Sequence, residues 1–374
     1  MWELIKYELQ KLMKKKLVWA FIVGMALMQI AMTCEWIYPG PEVVQYFQDG
    51  SLVALEGKDA IRAAKAIGKK YEGPLTDGKV QAILAEYTMS DEDMTEHSLD
   101  PSIESYYSHN FLYSALNQFY TADGSWNGMT VQEVYGELAP DLTLGYGSGW
   151  ERLLFAVVNT LLSLGCVVTI ILAPLFSEEY TKRTDALILT GAYGKTKCAW
   201  AKIIAGFTVS MSLTALVILL FGAVFLFHYG TDGWNASIQL GQISAFTAVP
   251  YPMTYGQGIL YALLLWFTAG LTLTAVAILI SAVAKSTFTS LVISFALFVV
   301  PMFLPWRKWR FLNLPAQFFP VRQMQLADIF TCPLLEAGAF QLNIIWLSIP
   351  VALAATLICV FYARRAFARH QVMG

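Results

Sequence analysis

The chain has 374 residues, of which 56% are hydrophobic and only 14% charged, and its mean hydropathy is +0.52. That balance excludes an ordinary soluble domain, and no nucleic-acid partner is expected. The formal net charge of −2 hides a division: residues 39–149 carry 17 acidic and six basic side chains, a local charge of −11, so the remainder carries +9.

Residues 1–16 open the chain as an amphipathic helix. Trp2, Ile5, Leu9 and Leu12 or Met13 recur every three or four positions, and Glu3, Lys6, Gln10, Lys11 and Lys14 fill the other face. Such a helix is expected along the cytoplasmic interface, with Trp2, Ile5 and Leu9 in the acyl boundary and Lys11 and Lys14 near anionic headgroups. An apolar run over 17–38 follows. It is longer than a signal-peptide core and lacks an Ala-x-Ala site, so it reads as a retained first transmembrane helix.

The segment 39–149 is too long to be a structureless loop. Residues 57–70 read as an exposed helix and 74–87 as a second, with Thr76 or Asp77 at its start. A third is expected over 101–120. Thr130-Val-Gln-Glu133 has capping-box spacing and opens a short fourth, before Gly145-Tyr-Gly-Ser-Gly149 returns the chain to the membrane. The expectation is a small helical extracytoplasmic domain. Its acidity suits either capture of cationic cargo or plain solubility. Asp91-Glu-Asp93 lacks calcium-loop spacing and reads as a solvated turn.

Residues 150–362 hold five more apolar runs, 152–175, 203–228, 258–284, 286–305 and 340–362. Each is close to the ~20 residues that cross a ~30 Å hydrocarbon core, and none has a charge near its middle. Basic clusters precede the first run (Lys6 to Lys16), follow the second (Lys182 to Lys202), separate the fourth from the fifth (Lys285) and close the chain (Arg364, Arg365, Arg369). All four fall on one side if six helices cross, so both termini, including the tail 363–374, are expected to be cytoplasmic. Arg307, Lys308 and Arg310 then fall outside, with Trp306 and Trp309 as interfacial anchors. The fold class expected is an all-α polytopic membrane protein: six transmembrane helices, an N-terminal interfacial helix, and a helical extracytoplasmic domain between spans one and two.

Signals of catalysis are few. The five cysteines include no pair at metal-ligand spacing, and the four histidines are scattered. Gly191-Ala-Tyr-Gly194-Lys195-Thr196 ends like a phosphate-binding loop, but Leu189 stands where the first glycine belongs. No catalytic, metal or cofactor residue is assigned, and any ATP and magnesium must be held by another chain. No intramembrane carboxylate or arginine marks an ion path. Ser163, Thr169, Ser210, Ser212, Thr214, Thr268, Thr272 and Thr274 either line a mildly polar route or bond to helix backbone.

The stretch 175–202 is the most specific in the sequence, and it resembles the first cytoplasmic loop of type-2 ATP-binding-cassette (ABC) exporter permeases of bacteria. Phe176 and Glu179 match the helix exit of that pattern, Thr184 its threonine, Leu187-Ile-Leu-Thr190 its apolar run, and Lys195 and Lys202 its basic positions. Arg183 replaces the usual glycine, and the frequent turn proline is absent. The resemblance implies a coupling loop at 176–202, whose ATPase-coupling residues are Phe176, Glu178, Glu179, Lys182, Arg183, Thr184, Leu187, Ile188 and Leu189. Residues 178–196 are expected to form a short helix there. The resemblance also implies a cytoplasmic ABC ATPase subunit, a second identical or homologous permease copy, and export of an amphipathic peptide, drug or lipid-like cargo across the plasma membrane. A membrane receptor or scaffold using the acidic outer domain, and then a secondary transporter, are the other function classes.

Overall fold

The computed structural model describes residues 1–37, 43–48, 51–87, 115–121, 125–191, 194–241, 248–304, 308, 315–325, 330–331, 335–337, 340–342 and 344–369. Helix α1 (Trp2–Met13) precedes α2 (Lys16–Ile37). A hairpin of β1 (Val43–Gln48) and β2 (Ser51–Glu56) follows, then α3 (Gly57–Lys70), β3 (Gly73–Pro74), α4 (Asp77–Tyr87), α5 (Val131–Tyr135) and β4 (Thr143–Leu144). The apolar region comprises α6 (Ser148–Leu172), α7 (Pro174–Thr181), α8 (Asp185–Thr190), α9 (Ala199–Tyr229), α10 (Tyr255–Val283), α11 (Thr287–Phe303), α12 (Pro320–Met324), the pair β5 (Leu335–Ala337) and β6 (Phe340–Leu342), and α13 (Ile344–Ala368).

All six apolar runs contain helix. Four stretches, Ser148–Thr181, Thr196–Tyr229, Tyr255–Val283 and Trp346–Ala368, are long and apolar enough to cross a membrane, whereas Lys16–Ala31 and Thr287–Phe303 are shorter. At 1.5 Å per residue the 17 residues of α11 span roughly 25 Å, a little under the hydrocarbon core. One expected boundary moves: residues 340–342, assigned to the last span, pair instead with 335–337 as a hairpin. Helix α13 runs on through Arg364 and Arg365 to Ala368.

Helix α10 is the spine of the bundle, packed against α6, α7, α9, α11, α12 and α13. Its buried surface is rich in small residues, including Ala262, Ala269, Ala275, Ala277 and Ser281, which lets neighbouring backbones approach without a hydrophobic force between helices. Hydroxyls supply the polar contacts. Thr272 Oγ1 donates to the Ala352 carbonyl at 3.0 Å and Thr274 Oγ1 to Ser210 Oγ at 2.7 Å. Thr169, Thr214 and Thr268 bond within their own helices. Between α2 and α6 one buried amide acts both ways, Gln29 donating to Ser163 Oγ at 3.2 Å and accepting from Thr160 Oγ1 at 2.9 Å. At the α6–α11 contact a Cβ on Gly165 would lie 2.2 Å from the Phe298 ring, so only glycine permits this approach.

The polar insert departs from the helical expectation. Helices α3 and α4 form within the expected ranges, and the Thr130–Glu133 capping box is present in full. The β1–β2 hairpin was not expected, and its register closes on Gln48 opposite Ser51. The two intervening residues in the sequence are Asp49-Gly50, a strong hairpin signal between Val- and Leu-containing strands. Of the third expected helix, only its end near Ala115–Tyr120 falls among the described residues; 101–114 lie outside them, as do 91–93, Trp306, Arg307, Trp309 and Arg310.

The insert is fastened to the loop after α9. Thr143 and Ser237 exchange two hydrogen bonds of 2.9 Å, Trp150 Nε1 donates to the Asp232 carbonyl at 2.9 Å, and Lys65 pairs with Asp232 at 2.7 Å. Gly233 makes this seam possible. Its φ is +76°, and a Cβ there would meet the Tyr146 carbonyl at 1.9 Å.

Candidate coupling site at the basic end

The four basic clusters of the sequence gather at the end of the bundle opposite the polar insert. Helix α6 passes through Ala173 into α7, whose first residue is Pro174, where a missing N–H costs nothing. Phe176 is fully buried against Phe367 of α13, with ring centroids 4.9 Å apart. Tyr180 Oη donates to the Ala282 carbonyl at 3.1 Å, and the backbone N–H of Thr287 donates to Thr181 Oγ1 at 3.1 Å. Helix α7 is therefore tied to α10, α11 and α13.

Adjacent carboxylates on α7 point to different sides. Glu179 is buried, 2.5 Å from Lys202 Nζ and 3.4 Å from Lys11 Nζ. Glu178 takes Lys15 at 2.5 Å and Lys182 at 2.7 Å. Lys202 is fully buried, and its three ammonium hydrogens have three acceptors: Glu179, Glu8 Oε1 at 3.0 Å and the Leu175 carbonyl at 3.3 Å. The Phe176 ring lies 5.8 Å away. A buried ammonium costs several kcal/mol unless paired and fully bonded, and both conditions are met. The network joins α1, α7 and the start of α9, three elements up to 194 positions apart in the sequence.

Helix α7 ends in a Schellman motif. The Thr184 N–H donates to the Glu179 carbonyl at 2.9 Å and the Arg183 N–H to the Tyr180 carbonyl at 3.2 Å, with Arg183 in the left-handed region at φ 53°. This is the place where the resembling family carries glycine, and the geometry explains why. The expected single helix over 178–196 is thereby corrected: the chain turns at 182–184, forms the six-residue α8, then re-enters α9 through a π turn at Gly194–Cys198.

The expected coupling residues therefore divide. Phe176 and Glu179 are buried and hold the loop in place, so a partner does not reach them. Glu178 is occupied by two lysines, one of which, Lys182, has its ammonium held above its ordinary range by the hydrogen bond to Glu178. Lys182, Arg183 and Thr184 are exposed on the turn, and Leu187 stands 79% exposed on α8. The side chains of Ile188 and Leu189 lie outside the described residues.

The acyl-boundary placement of α1 is also corrected. Ile5 and Leu12 are buried and Leu9 is half-buried against protein, because α1 packs on α9. Trp2 and Lys14 remain exposed, while Lys11 turns inward to Glu179. Sequence reading missed Glu8. Its signal was position, since it sits on the stripe of Ile5 and Leu12 at helical spacing, where a charge must find a partner.

A family model described as ABC-2 family transporter protein matches residues 2–307, most of the chain and every candidate coupling residue. Comparison with curated proteins and with solved structures gives no match.

Proposed function

We propose, from the premise that this chain belongs to the ABC-2 transporter family as its membrane-embedded permease component, that it couples ATP hydrolysis on a separate subunit to export. In this reading six helices cross the plasma membrane of a bacterial cell with both termini in the cytoplasm. Two permease copies, identical or homologous, pair with two cytoplasmic ABC ATPase subunits.

The observation that carries the reading is the union of a rigid mount and a free tip. The Lys202–Glu179–Glu8 cluster fixes α7 to α1 and α9, while Leu187 and the 182–184 turn project from it unburied. An exposed aliphatic side chain beside charges offers an ATPase cleft an apolar anchor, and the mount conveys a push on that anchor to the spans. The partner's closure on ATP then shifts the bundle between inward- and outward-facing states. Intramembrane polar groups engaged in helix–helix bonds rather than ion pairs favour an amphipathic peptide, drug or lipid-like cargo over an ion. The insert, −11 in charge, stands over the outer exit and shapes it.

The test is co-purification. Replacing Leu187 by Asp is expected to abolish capture of the ATPase subunit while leaving membrane insertion intact. Undiminished capture would overturn the assignment of the docking tip.

A further inference from the structure

At the basic end, α10, α11 and α13 leave an open groove of about 810 Å³. Its walls are apolar, with Leu279 and Val283 from α10, Ile293 from α11 and Tyr362 from α13. Its mouth carries Arg365 and Arg369. These two guanidinium groups are four residues apart and so share one face of α13, in line with Tyr362 and the exposed Ile358. Both are exposed, and neither pairs with an acidic side chain among the described residues, whereas the adjacent Arg364 lies over the Trp200 ring at 5.4 Å.

The dimensions fit an amphiphile held at an interface. From Arg369 to Tyr362 the groove descends seven residues of helix, roughly 10 Å, and Ile293 lies six residues inside the start of α11, so the apolar floor lies about a headgroup's depth below the arginines. A free phosphate would use the arginines but leave the apolar walls bare. A neutral lipid would use the walls but leave the two arginines without a counter-charge. We propose that this groove is a site for an anionic glycerophospholipid, its phosphodiester on Arg365 and Arg369 and the first part of one acyl chain against Leu279, Val283 and Ile293. Paired guanidinium groups favour a phosphate oxygen pair in this geometry, and apolar side chains from three spans replace neighbouring acyl contacts. The site is remote from the Leu187 tip in sequence and does not depend on the docking reading.

Native mass spectrometry of the purified full-length chain, titrated in detergent with phosphatidylglycerol or phosphatidylcholine, tests the proposal. Phosphatidylglycerol is expected to be retained preferentially. The double variant R365Q/R369Q is expected to weaken its retention roughly thirtyfold, from the worth of two basic residues at an anionic lipid surface. R365K/R369K should keep part of it. Ile293→Trp, which fills the groove without changing charge, should also lose it. K58Q/K69Q, which removes two exposed charges from α3 of the insert, should leave it intact. Equal retention of the two lipids, an equal loss in K58Q/K69Q, or full retention in Ile293→Trp would each overturn the site. So would displacement of bound lipid by the ATPase subunit or by a second permease copy, because the groove would then be a protein interface.

Discussion

Replacing Lys202 by Met removes the one cation among the described residues that touches both Glu8 and Glu179, while keeping the length and most of the volume of the side chain. Lys202 is fully buried, and the carboxylates it joins are 7% and 4% exposed. Glu179 retains Lys11 at 3.4 Å, but Glu8 loses its ion-pair partner. Breaking a buried pair in this manner costs about 3–5 kcal/mol, because the remaining charge is left desolvated. By contrast, Lys15→Met breaks a pair that is 27% and 16% exposed, and Glu178 keeps Lys182; the cost there is about 1 kcal/mol or less. Adding Glu8→Gln to Lys202→Met removes the stranded charge and is expected to recover most of the loss. Thermal unfolding of the purified protein in micelles, followed by tryptophan fluorescence, ranks the variants. The reasoning fails if Lys202→Met is no less stable than Lys15→Met, or if the double variant is no better than Lys202→Met alone.

Two further outcomes follow from local geometry. Arg183→Gly relieves a left-handed backbone at φ 53° and is expected to stabilise the α7–α8 turn by about 0.5–1 kcal/mol, while Arg183→Val destabilises it, both measurable by the same unfolding assay. The Glu133 carboxyl is held below its usual range by the Thr130 N–H and hydroxyl. A depressed carboxylate stabilises above its unfolded pKa of about 4.3 and loses that contribution as pH falls through the folded value. Amide protection at 131–135 should therefore decline in acid, and Thr130→Ala should lower it about fivefold at neutral pH and weaken the acid dependence without abolishing it, because the backbone N–H at 130 still donates to the Glu133 carboxylate.

What could be read in advance followed the range of the interactions involved. Apolar runs mark helices because the bilayer imposes length and hydropathy directly on consecutive residues, and α6, α9, α10 and α13 appear where those runs lie. The Thr130–Glu133 box and α3 were legible for the same reason, since caps and amphipathic faces span only a few positions. The β1–β2 hairpin also has a local signal, the Asp49-Gly50 pair between two β-prone segments, but the amphipathic helix that follows at 57 outweighs it in a reading of the insert as helical. The Lys202 cluster was not legible. Lys15 and Glu178, 163 positions apart, carry no mutual pattern, and a lysine flanking a span is explained equally well by lipid headgroups. Arg183 hid the break in the coupling loop, since a residue that resists the left-handed region occupies the glycine place, and only the backbone geometry reveals it.

The central claim, that the tip carried by α7 and α8 docks a cytoplasmic ATPase, is tested most directly by photo-crosslinking in intact cells. A crosslinking residue introduced at Leu187 is predicted to give an adduct with the ABC ATPase subunit, and one at Trp126 in the insert to give none. Absence of the adduct from position 187, or its appearance from position 126, would contradict the account.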